Sequence, residues 1–92
     1  MLSELSKHIE HMKWDLADKN IPAEKVYLNF KKLLELNASD KQIADIAFEY
    51  HNSWSEPSEN AYNAIYDLAL LEEEGFERSR EEINEIIEQI IL

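Results

Sequence analysis

The chain has no cysteine, one glycine (Gly75) and two prolines (Pro22 and Pro57) among its 92 residues. Without thiols it can form neither a disulfide nor a thiolate metal site, and the redox compartment is left open. So little glycine and proline leaves few residues for the tight turns that hairpins demand, which argues against a β fold. No apolar run approaches the ~20 residues of a membrane-spanning helix. Ser3, Glu4, Ser6 and Lys7 interrupt the opening stretch, so it lacks the apolar centre of a secretion signal. A soluble cytoplasmic protein is the expectation.

Positive charge is missing from one long stretch: between Gln42 and Glu77 there is no Lys or Arg. Residues 1–41 balance seven lysines against seven acids, whereas residues 42–92 set thirteen acids against Arg78 and Arg80 and carry the whole net charge of −11. A one-signed half costs stability through self-repulsion and creates a field that draws in a basic partner. It opposes nucleic acid and anionic membrane as ligands.

What is abundant is helix-forming material: Leu, Ile, Ala, Glu and Lys. Leu5, Ile9, Met12 and Leu16 recur at the helical period and predict a first helix over Ser3–Asp18, with Trp14 opposite the stripe and expected to pack under a loop. A break at 19–22 ends in Pro22, suited to a helical first turn, and a second helix follows to Leu36 on Ala23, Val26, Phe30, Leu33 and Leu34. Ser39 and Gln42 read as a capping box for a third helix with Ile43, Ile46, Ala47, Tyr50 and Trp54 inward. After the loop at 53–58 comes NAYNAIYDLALLEEE, Asn60–Glu74, in which nine of the eleven residues 61–71 are apolar. A helix apolar nearly all round belongs at the centre of a bundle, and Gly75 is placed to close it. Ser79 and Glu82 form a second capping box, and Ile83, Ile86, Ile87 and Ile90 face the core of a fifth helix. The expectation is all-α: one domain, 1–92, folded as a compact antiparallel bundle of four to five helices.

No catalytic constellation emerges, and an enzyme is not expected. His8 and His11 share a strip with Glu4 and Asp15, but neither the metalloprotease nor the diiron spacing is present, so no metal or other cofactor is assigned. The many carboxylates sit on wet faces, where nothing selects a pair for acid–base work. Ser39–Ala47 has the pattern of the first helix of a helix-turn-helix, yet the helix to follow would bring Glu56 and Glu59 to DNA. The remaining candidate is the acidic surface: Asp45, Glu49, Glu56, Glu59, Asn63, Asp67, Glu73 and Glu74, with Tyr62 and Tyr66 as aromatic anchors. Anchors ringed by charge suit a protein interface, the rings supplying energy and the carboxylates association rate and specificity.

The order of elements resembles that of small bacterial immunity proteins of the colicin-D type. The resemblance runs through Asn20-Ile21-Pro22-Ala23, Val26 and Phe30, and then Glu74-Gly75-Phe76-Glu77 with Ile83, Ile86 and Ile87. It implies an antiparallel helical bundle that neutralises a cognate nuclease toxin through an acidic surface, with Glu49, Glu56, Glu59, Asp67 and Glu73 in that role. The expected function is an acidic immunity or antitoxin-like protein, monomeric or weakly dimeric, that blocks the basic cleft of a toxin. Two alternatives stand beside it: a phage-type anti-defence protein that imitates DNA, and a helical adaptor that dimerises through Trp14 and Leu28.

Overall fold

The computed structural model describes residues 3–55 and 57–92, and those residues contain five α-helices and no strand. The helices are α1 (Glu4–Leu16), α2 (Ala23–Glu35), α3 (Asp40–Ser53), α4 (Glu59–Ala69) and α5 (Arg80–Glu88), with a 3-10 turn over Gln89–Ile91. Four of the five begin on a serine whose hydroxyl accepts an orphan backbone N–H: Ser3, Ser39, Ser58 and Ser79. At Ser39 and Ser79 the reciprocal bond from Gln42 or Glu82 completes the capping box. The Ser79 backbone and side-chain bonds hold the Glu82 carboxyl below its ordinary range. At the end of α2, Asn37 takes the left-handed conformation, with φ 59°. The Ala38 and Asn37 amides turn back there to the carbonyls of Leu33 and Leu34.

The helices pack as a ring, α1 on α2, α2 on α5, α5 on α4, α4 on α3 and α3 on α1. Named contacts give the directions. Asp15, late in α1, meets Lys25 early in α2, and Glu4 meets Lys32. Tyr27 and Lys31 reach Glu88 at the end of α5, while Arg80 at its start bonds the Ala38 carbonyl after α2. Asn60 at the start of α4 donates to the Leu92 carbonyl, and His51 near the end of α3 lies against Tyr62 near the start of α4. These four joints are antiparallel. A ring of five cannot alternate throughout, and the remaining joint is parallel: the Tyr50 hydroxyl of α3 donates to the Met12 carbonyl of α1 at 2.8 Å, and Lys13 and Leu16 border the same groove as Asn52 and Ser53.

The core fills the ring. Met12, Val26, Phe30, Leu33, Ile43, Tyr50, Leu68 and Ile83 are wholly buried. Phe30 meets Tyr50 at 5.4 Å between ring centres, in the edge-to-face arrangement that ring quadrupoles favour. Burial pushes the Tyr50 hydroxyl up to about 12. Trp54 is buried with its indole N–H on the Ile21 carbonyl, and Ser55 N–H bonds the Lys19 carbonyl, pinning the α3–α4 loop to the α1–α2 loop.

Three expectations are corrected. Helix α4 is not central: it buries Ala61, Ala64, Ile65 and Leu68 on one face and leaves Tyr62 and Tyr66 each 47% exposed, like any member of a ring. It also ends at Ala69 rather than Glu74, because carboxylates at a helix C-terminus oppose its dipole. Leu70–Gly75 form turns instead, and Gly75 (φ 86°) serves those turns rather than closing the helix. Trp14 does not pack under a loop; it is 77% exposed.

Asp15 joins α1 to α2, accepting from Asn29 at 3.0 Å and pairing with Lys25 and His11. Burial alone would raise its pKa, but the Asn29 and Lys25 bonds outweigh it and the net shift is downward from 3.8. A depressed carboxyl contributes stability above its unfolded pKa and loses it as pH falls through the folded value. Asp15→Asn is therefore expected to cost about 1 kcal/mol at neutral pH and to flatten the acid limb of a stability profile measured by urea unfolding. Parallel acid limbs for the two proteins would contradict this account of the joint.

Candidate protein-binding face

The expected acidic surface divides along the α3–α4 seam. On α3, His51 lies against both Tyr62 and Tyr66 of α4, at 5.1 and 5.5 Å between ring centres. One turn nearer the start of α3 stands Phe48, 58% exposed. One turn nearer the end of α4 is Ala69. Phe48 and Ala69 border a shallow groove of about 600 Å³ that is also lined by Asp45, Glu49, Glu72 and Glu73 and by Lys13 and Lys41. A second groove, about 540 Å³, continues past Phe48 and Glu49 between α1 and α3. Phe48 is thus a ridge between two grooves. Both grooves open along the parallel joint.

Of the expected site residues, the fold brings Asp45, Glu49 and Glu73 to one groove and sets Tyr62 and Tyr66 along the seam beside it. Glu59 is one turn before Tyr62 on the exposed side of α4. Asp67 is exposed on the opposite shoulder of α4 from the His51 contact, on the side where Asn60 reaches Leu92, and Asn63 is exposed on the crest between Tyr66 and Asp67. Glu74 is exposed in the turn after α4, and Glu56 lies outside the described residues. Three participants were not anticipated: His51, Phe48 and Glu72. Phe48 sits between Asp45 and Glu49 in sequence, on a face read as wet, so its aromatic ring is the signal that could have found it.

Most of the described carboxylates here have no cation partner within the chain. Among the described residues of the acidic half, Asp45 pairs with Lys41 and Glu88 with Lys31, and no other carboxylate has a cation partner. Asp45, Glu49, Glu59, Asp67, Glu72, Glu73 and Glu74 are all exposed. General acid–base chemistry needs a carboxyl withdrawn from water, and these carboxylates are exposed. The arrangement suits binding, with exposed rings for packing and carboxylates for cations.

The histidine strip on α1 is used structurally. His8 Nε2 donates to the Asn29 carbonyl at 2.9 Å and His11 pairs with Asp15 at 3.1 Å. No group of three or more potential metal ligands comes together among the described residues, and none of the described helices is long and apolar enough to cross a membrane. No protein-family model, curated protein or solved structure matches the chain.

Proposed function

We propose that the protein is a stoichiometric inhibitor: an acidic binding protein of the immunity or antitoxin kind that covers the basic cleft of a toxin, in its most specific form a nuclease. The observation that carries this reading is the α3–α4 seam, where Phe48, Tyr62 and Tyr66 stand exposed in a stretch of chain without a single cation. A nuclease binds phosphate through clustered Lys and Arg, and that cluster is the complement of Glu49, Glu59, Glu72 and Glu73. Rings buried at such a contact supply most of the energy, and the carboxylates fix partner and register.

The test begins with affinity capture on the tagged protein at low salt, identification of the bound protein, and assay of its nuclease activity. A basic nuclease inhibited at a one-to-one ratio is expected, with binding weakening steeply as sodium chloride rises from about 0.05 to 0.5 M. Captured proteins with neutral surfaces, or an affinity indifferent to salt, would remove the reading. A DNA mimic draws less support, since extents of 38 × 32 × 19 Å describe a flat slab and not a rod lined with phosphate-like charge.

A second reading has its own observation. Trp14 on α1 and Leu28 on α2 are 77% and 62% exposed. An adaptor that pairs through them would bury both. In that case sedimentation would show a mass that rises with concentration, little affected by salt, and Trp14→Ala would hold the protein monomeric.

A further inference from the structure

The rings of Tyr62 and Tyr66 are one helical turn apart, and Glu59 and Asn63 complete a diamond of neighbours three and four positions apart on the exposed face of α4. His51 of α3 lies against both rings and supports them from that side, and its Nδ1 is buried without a hydrogen-bond partner. Two tyrosines so supported, with a carboxylate and an amide at neighbouring helix positions, have the chemistry to hold a cation.

The fold contains a filled counterpart. At Tyr27 the ammonium of Lys31 lies 5.8 Å from the ring centre and bonds the Glu88 carboxylate, to which the Tyr27 hydroxyl also donates. Tyrosine, cation and carboxylate are all drawn there from one chain. At Tyr62 and Tyr66 the aromatic and carboxylate parts are present, but the surrounding stretch of sequence supplies no cation. Among the described residues no Lys or Arg lies over either ring.

We infer that the Tyr62–Tyr66 site receives an arginine side chain of the partner, its guanidinium stacked on the two rings and its N–H groups donated to the Glu59 carboxylate and the Asn63 amide oxygen. This rests on the basic-partner reading above and names the residue that enters the seam. Arginine fits better than lysine because a planar guanidinium can stack on rings and still direct several donors sideways, whereas an ammonium is a compact, strongly hydrated point charge.

The full chain is titrated calorimetrically at low salt with an arginine octamer and a lysine octamer, which match in charge. The arginine octamer is expected to bind about fivefold tighter. That preference disappears in Tyr62→Leu/Tyr66→Leu and persists in Tyr62→Phe/Tyr66→Phe, with circular dichroism reporting that each variant is folded. Equal affinities in the unaltered protein, or a preference that survives in the leucine pair, overturn the arginine site and leave the acidic face standing. Failure of both octamers to bind overturns the basic-partner reading with it. Should the leucine pair fail to fold, Glu59→Gln on the open surface decides instead: a diminished arginine preference supports the site, and an unchanged one overturns it.

Discussion

Replacing Glu49, Glu59 and Glu73 together by lysine is expected to weaken partner binding by about a thousandfold at low salt while leaving the fold intact. The three lie around the α3–α4 seam on three separate elements: α3, the start of α4 and the turn after it. All are exposed, and none has a cation partner among the described residues, so the change removes no internal bond. Each reversal turns an attraction to a basic cleft into a repulsion at close range, and like charges brought together cost several kcal/mol in total, about a factor of ten for every 1.4 kcal/mol. Because the molecule carries −11, the added lysines should ease self-repulsion, which offsets the loss of the favourable Glu59 charge at the start of α4, and thermal melting should stay about level. The check pairs a binding titration with a melt of the same sample. Undiminished affinity in a folded triple variant would move the interface elsewhere on the molecule.

Phe30→Ala is expected to be the most damaging single change, costing about 3–5 kcal/mol. Domains of this size hold about 5–15 kcal/mol in all, so the variant would retain a small reserve or none. Phe30 is wholly buried on α2 and meets the Tyr50 ring edge to face, and Tyr50 in turn reaches α1 through the Met12 carbonyl. Three helices converge on that pair, so truncation opens a cavity that no flexible surface chain can fill. Tyr50→Phe makes the comparison: it keeps the ring and loses only the hydroxyl bond, for about 1 kcal/mol. Urea midpoints of the two variants should be well separated. Similar, small shifts would show that the centre of packing lies elsewhere.

The helices were legible because their starts are written locally. Ser39 with Gln42, and Ser79 with Glu82, specify capping boxes within four residues of chain, and the structure forms both. The inward stripes of α2, α3 and α5 follow from apolar spacing alone. What escaped was decided across helices. Tyr62 and Tyr66 inflated the apolar count of α4, and a count cannot tell a core ring from one half exposed against His51. The apolar run through Leu71 disguised the end of α4, where Glu72, Glu73 and Glu74 meet a helix dipole of the wrong sign.

The candidate site was legible as chemistry and not as geometry. That Asp45, Glu49 and Glu73 border one groove depends on α4 returning alongside α3, which no periodicity reports. Asp67 falls on the other shoulder of α4 because the shift of one residue from Tyr66 turns the side chain by about 100°. Phe48, at the ridge between two grooves, was hidden by its acidic neighbours.

The absence of lysine from α4 and the turn behind it also has a practical consequence at the bench. Reagents that acylate primary amines will mark α1, α2, the loop between them and the start of α3, where every lysine resides, and leave α4 and the turn behind it untouched. Dyes, cross-linkers or biotin attached through amines would therefore tether the protein by its opening helices. Coupling at Lys13, Lys19 or Lys41 would fall in the grooves beside Phe48 and mask them, while the tyrosines of α4 carry no amine of their own.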